Sequence, residues 1–186
     1  MKNIFLIFIL LLIIGCSNKQ NLESELITTY YKGFKTSNYQ LVKNVLSDSL
    51  TTVYGGYTTY FTQESYYKQF KWDSVFKPEY ELISIDYIDE KYIATVSISC
   101  SKFKFLKNNP LTCSYQFLFQ SGKTSKIEEL DCSNVNWKVW AKEVDTLVNW
   151  IKINHPELDG FVNDLSMKGA QNYLKAIELY KNREIN

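Results

Sequence analysis

Along residues 22–33 apolar side chains return every three to four positions. Leu22, Leu26 and Tyr30 make one row, and Ile27, Tyr31 and Phe34 lie beside it. That spacing predicts a helix with one apolar face. Gly33 suits its C-terminus. Ser37, with Gln40 three residues on, reads as a capping box that opens a second helix running to about Leu46. The stretch "SLTTVYGG" is short, β-rich and broken by Gly55-Gly56. A third helix is expected from Thr62 to about Trp72, before Lys77-Pro78 forces an extended backbone.

From Tyr80 onward the period changes to two, and four strands are expected. A turn at Asp89-Glu90 sets Tyr87 opposite Tyr92, Ile85 opposite Ala94 and Ile83 opposite Val96, all on one apolar face. A turn at Ser121–Thr124 sets Phe117 opposite Glu128, Tyr115 opposite Leu130 and Cys113 opposite Cys132. Ser114, Gln116, Glu129 and Asp131 then share the other face, as do Thr95, Ser97, Ser99 and Ser101 of the preceding strand. One apolar and one wet face is the usual arrangement of an antiparallel sheet. Alternation would leave Phe103 and Phe105 on the wet face, so a bulge is expected near Cys100 to Lys102.

After residue 133 the helical period returns. Trp137, Trp140, Val144, Leu147, Val148 and Ile151 form a stripe, Pro156 suits the first turn of a short helix, and Met167 to Tyr180 carry a last amphipathic helix. Residues 134–186 are expected to pack their stripe over the helices and the mouth of the preceding unit, burying Trp137 and Trp140.

The N-terminus carries an address. Ile4 to Ile14 is uninterruptedly apolar behind Lys2. It is too short for a spanning helix of ~20 residues and has the length of a secretory signal. It ends in Ile13-Ile14-Gly15-Cys16, which resembles a bacterial lipobox. The resemblance implies cleavage before Cys16, lipidation of its thiol and a tether over 16–21. Ser17 after the cysteine resembles an outer-membrane sorting pattern. The expected location is the cell envelope, with the membrane as partner through the anchor.

Composition narrows the function by exclusion. Cleavage removes one of 21 basic residues and none of the 20 acidic ones, so the formal charge becomes zero. Without a basic block, nucleic acid is not an expected partner. One histidine excludes a histidine-centred triad or a multi-histidine metal site within the chain, and neither a metal nor a cofactor is expected. Aromatics reach 16% and are dense between Tyr54 and Tyr80. Tyrosines offer flat apolar area with a polar tip, suited to a ligand-lined cavity or an interface.

Two or three helices, a short strand, another helix and then meandering antiparallel strands resemble the nuclear transport factor 2-like fold, which includes ketosteroid isomerase and polyketide cyclases. The opening "YYKGFKTSNYQLVKNVLSDSLTTVYGG" is similar to that superfamily's first helices and strand. The resemblance covers 22–133. It implies an α+β fold in which a curved antiparallel sheet wraps the N-terminal helices into a cone, here with a C-terminal helical appendage over 134–186. Isomerases of the family use a tyrosine of the first helix, matched here by Tyr30 or Tyr31, and an acid at the first strand. Tyr54 stands where that acid would be, and a phenol of pKa ≈ 10 is a poor base at neutral pH.

The leading expectation is a lipid-anchored, non-enzymatic protein that binds a small apolar ligand or an envelope protein. Tyr54, Tyr66, Phe70, Trp72, Tyr115 and Phe117 are the candidate contacts. One alternative is a divergent isomerase or lyase using Glu128, which the register sets on the apolar face, with Tyr30 or Tyr31. Another is a structural accessory of an envelope complex. Cys113 and Cys132 are expected as neighbours able to form a disulfide.

Overall fold

The computed structural model describes residues 22–183. The expected signal, Cys16 and the tether lie outside them. Helix α1 spans 22–35, α2 Tyr39–Val45 and α3 Gln63–Ser74. Strands β1 (Leu46–Tyr54) and β2 (Tyr57–Thr62) separate α2 from α3. Four more follow: β3 (Glu79–Ile88), β4 (Lys91–Ser99), β5 (Leu111–Gln120) and β6 (Lys123–Ser133). A short α4 (Ser101–Phe105) joins β4 to β5. The chain ends with α5 (Trp137–Asn154), a 3-10 turn at Pro156–Leu158 and α6 (Met167–Asn182).

The fold is α+β. Its single six-stranded sheet runs β2-β1-β6-β5-β4-β3. β1 pairs with β6 in parallel, so the sheet is mixed rather than wholly antiparallel.

Several local signals resolve differently from the expectation. Gly33 does not end α1. A Cβ there would sit 2.5 Å from Val42 Cγ2, so the glycine allows α1 and α2 to touch. The cap of α2 is Asn38, whose side chain accepts from Gln40 N–H, while Ser37 takes a left-handed φ of 51°. Gly55 and Gly56, at φ 55° and 81°, make a two-residue hairpin, because paired positive φ matches the twist of the flanking strands. The chain therefore returns as β2, which the sequence pattern had not indicated. Near Cys100 the expected bulge is a five-residue helix, capped by Cys100 Sγ accepting from Phe103 N–H. It turns Phe105 into the protein interior.

Two apolar clusters organise the packing. In the first, Tyr30, Ile27 and Val42 of the helices meet Ala94, Val96, Phe117 and Ile127 of the sheet. The second joins Phe76, Phe105 and Leu106 to Leu147, Ile151, Phe161, Tyr173 and Ile177. Residues 134–183 thus share a core with the end of α3 and with α4. The stripe of α5 is buried unevenly. Leu147 and Ile151 are fully enclosed, but Trp137 is 52% exposed, contrary to the expectation that both indoles are covered. Its ring packs edge-on against Trp140.

The strand registers decide the site. Tyr87 faces Tyr92 and Ile85 faces Ala94, as the sequence suggests, but a bulge shifts the pairing to Leu82 opposite Val96 and leaves Ile83 exposed. A second irregularity lies at Ser114/Tyr115 in the β5–β6 pair. Before it, Cys113 faces Cys132; after it, Tyr115 faces Glu129 and Phe117 faces Ile127. A one-residue slip moves a side chain to the opposite face, so Glu128 and Glu129 exchange places relative to the uninterrupted alternation. Cys113 and Cys132 are joined in a disulfide.

Candidate functional site

Between the helices and the concave face of the sheet lies a cavity of about 510 Å³. α1 supplies Tyr30, Tyr31 and Phe34. α3 supplies Tyr66, Gln69 and Asp73, which share one helical face because they sit three, four and seven residues apart. The sheet contributes Thr52 and Tyr54 from β1, Tyr80 from β3, Tyr115 from β5 and Glu129 from β6. The far wall is Lys102 and Phe103 of α4, Trp140 of α5 and Leu165 before α6. Trp140 packs on Phe103 with ring centroids 5.3 Å apart. The appendage therefore narrows the cavity without filling it.

Phenolic hydroxyls dominate the interior. Those of Tyr30 and Tyr66 are hydrogen-bonded to each other, and Tyr54 lines the same cavity. Burial pushes the pKa values of Tyr30, Tyr31, Tyr66 and Tyr80 well above the ordinary phenol value, because an enclosed site disfavours the phenolate. At neutral pH they are uncharged donors and acceptors. Tyr80 Oη donates to Asp73 Oδ2 at 2.7 Å. Burial still raises the Asp73 pKa, against the opposing effects of Tyr80 and then Lys102. Glu129 is also raised by burial, opposed by a bond from Gly55 N–H. Its carboxylate lies within 4.8 Å of both sulfurs of the disulfide. The Lys102 amine is shifted the other way, down, again by burial.

Of the residues singled out from sequence, Tyr30, Tyr31, Tyr54, Tyr66 and Tyr115 line this cavity. Phe70 and Phe117 are buried in the first cluster behind it, and Trp72 packs on Phe76 at the second. Those three fill the interior rather than face the cavity. Glu128 is not on the apolar face at all. It pairs with Lys126 at 2.7 Å and opposes Gln116, because the bulge at Ser114/Tyr115 turns it outward. An isomerase or lyase mechanism resting on Glu128 loses its acid. The groups missed from sequence are Asp73, Lys102 and Glu129. The helical spacing from Tyr66 signals Asp73. The strand alternation sets Glu129 on the wrong face because of the bulge, and Lys102 reaches the cavity wall through α4 rather than through a strand.

The inward turn of Glu129 has a measurable consequence. Burial favours its neutral form, so the folded protein holds this proton more tightly than the unfolded chain. The associated stability is complete below the unfolded carboxyl range and is lost as pH rises through the raised folded value. Glu129→Gln is therefore expected to melt higher than the parent at pH 7, with the advantage vanishing on acidification to about pH 4. Glu128→Gln, which breaks the Lys126 contact, should bring no gain at either pH. Thermal melts of both variants at the two pH values make the check.

No protein-family model and no curated protein matches the chain. Solved structures do. Bal32a from a soil-derived mobile gene cassette aligns at TM-score 0.52 and 12% identity, over 66% of this chain and 95% of its own. A protein from Kribbella flavida DSM 17836 aligns at 0.50 and 5% identity, over 66% and 95%. An NTF2-like protein of unknown function from Burkholderia xenovorans LB400 aligns at 0.48 and 15% identity, over 60% and 83%. At these identities the likeness is one of fold.

Proposed function

We propose that the protein is a lipid-anchored component of the bacterial cell envelope that binds a small, flat, mainly apolar molecule inside the cone. The observation that carries this reading is the cavity itself. Its aromatic walls suit an apolar body, and its converging neutral hydroxyls suit one oxygen function on that body. The experiment is a titration with 2-naphthol, a two-ring phenol small enough for the space, followed by calorimetry. Wild type should bind. Thr59→Trp, at a solvent-exposed lining position, should block the cavity and abolish binding while leaving the melting temperature unchanged. Equal heats from both proteins would sink the reading.

A second reading, docking of an envelope protein, rests on Tyr57 and Tyr60 of the edge strand β2, which are 82% and 79% exposed. Exposed aromatics on a strand edge are a recognisable interaction surface.

The anchor is supported by "LIIGC" at positions 12–16. A diacylated cysteine holds a protein to a bilayer much more firmly than one chain does. Mature protein should enter the detergent phase on Triton X-114 extraction, and Cys16→Ser should move it to the aqueous phase or leave the precursor uncut. Unchanged processing and partitioning of Cys16→Ser would refute the anchor.

A further inference from the structure

We propose that Glu129 is the binding group for a positively charged nitrogen, so that the cone takes a flat aromatic amine in its ammonium form. The inference rests on the cavity being a ligand site and narrows the ligand class to a monocation on a flat apolar body.

Among the described residues, the charged side chains that line the cavity are Asp73, Lys102 and Glu129. Two of them are already engaged. The Lys102 ammonium lies 4.5 Å from the ring centre of Trp72, 4.9 Å from Phe76 and 5.3 Å from Phe103, and rings at these distances favour the charged amine. Asp73 accepts from Tyr80 Oη at 2.7 Å, and the Lys102 charge acts on it. One base against two acids leaves the lining with one negative charge in excess, and that excess falls to Glu129. Among the described residues its carboxylate accepts one long bond, 3.4 Å from Gly55 N–H. It joins no ion pair there; the acids that do are Glu64, Glu128, Glu143 and Glu157. A partly enclosed carboxylate without a cation in contact is poorly supported as an anion, in keeping with the upward push that burial gives its pKa.

The neighbours of Glu129 suit a cation as well. Glu129 of β6 faces Tyr115 of β5 in the register after the bulge, and its donor Gly55 directly follows Tyr54 of β1. Tyr54 and Tyr115 both line the cavity, with ring centroids 6.0 Å apart and planes at 89°. An ammonium at this place would donate charge-assisted bonds to the carboxylate and meet phenol rings with the rest of its charge. A neutral or anionic ligand would instead enclose the Glu129 carboxylate without a counter-charge, which is unfavourable. The Tyr30–Tyr66 hydroxyl pair remains for the oxygen function on the same body. Glu129 thus disfavours the empty fold and favours the filled one, which is the balance expected of a group whose partner is the ligand.

Calorimetry of the whole protein at neutral pH with 2-naphthylmethylamine, protonated under those conditions, and with 2-naphthylmethanol, its neutral counterpart of the same shape, makes the test. Wild type should bind the amine about 10- to 100-fold more tightly, the worth of a hydrogen bond to a charged group. Glu129→Gln should bring the two affinities together while holding the alcohol as before. Glu128→Gln, whose carboxylate is paired with Lys126, should keep the preference. Thr59→Trp should abolish binding of both molecules, as it should for any ligand inside the cone. A preference that persists in Glu129→Gln, or amine binding that survives Thr59→Trp, would overturn the proposal. If wild type binds both molecules equally, the ammonium site falls and the cavity reading stands. If neither binds, both fall.

Discussion

A chain ending at Ser133 is expected to express as aggregate. Removing residues 134–183 strips Phe76, Phe105 and Leu106 of their partners Leu147, Ile151, Phe161, Tyr173 and Ile177. Phe76 and Leu106 are 1% and 0% exposed in the whole protein. Exposing a buried Leu or Phe forfeits ~1.5–3 kcal/mol each, so three together cost on the order of 5–9 kcal/mol. That is comparable with the ~5–15 kcal/mol that holds a typical domain together. The fragment would also present a contiguous apolar patch, which drives association. The cavity would lose Trp140 and Leu165 from its far wall. Size-exclusion chromatography and a urea titration of the fragment decide the matter. A soluble 22–133 fragment with a single cooperative transition would show that the C-terminal helices are a separable docking module.

Phe117→Ala is expected to be the most damaging single substitution in the cone. The ring is 1% exposed. Its centroid lies 5.7 Å from Tyr30, 6.0 Å from Tyr31 and 6.5 Å from Phe119, and its strand neighbours are Tyr92 and Ile127. Aromatic pairs at these separations add to the burial itself. Phe→Ala in such a place costs ~3–5 kcal/mol through lost transfer energy and an unfilled cavity. For a protein of this size that is a fall of about 6–20 °C in melting temperature. Equilibrium unfolding in urea measures it. A loss within about 1 kcal/mol would mean that the rings around Phe117 collapse into the gap, and that the wall behind the site is soft.

Much of the architecture is legible in the sequence because it rests on period. The rows of α1, the stripe of α5 and the alternation of β4 and β5 each repeat long enough to be unambiguous. The pairs Tyr87–Tyr92, Ile85–Ala94 and Cys113–Cys132 follow from turn positions alone. What is not legible is set by single residues that interrupt a period. The irregularity at Ser114/Tyr115 exchanges Glu128 for Glu129 inside the cone, and no local chemistry in "TCSYQF" announces it. Gly55-Gly56 reads equally as an end or as a hairpin, and only the return of "YTTYFT" to pair with β1 distinguishes them. Lys102 is hidden for a similar reason. As part of a strand it would share a face with Ile98 and Cys100, with Phe103 on the other, and only the five residues of α4 bring Lys102 and Phe103 to one cavity wall. The tyrosines were found because their type suits a cavity; Phe70, Trp72 and Phe117 show the limit of that reasoning, since an aromatic behind the wall looks the same in sequence as one on it.

The most direct test of the cavity as the ligand site is a crystal of the protein grown with 6-bromo-2-naphthol, read at the bromine absorption edge. One strong anomalous peak is expected inside the cone, bounded by Tyr66, Tyr115 and Trp140, with the naphthol oxygen toward the Tyr30–Tyr66 pair. An anomalous peak at the β2 edge beside Tyr57 or Tyr60, with none inside the cone, would contradict it and assign the exposed aromatics to partner docking instead.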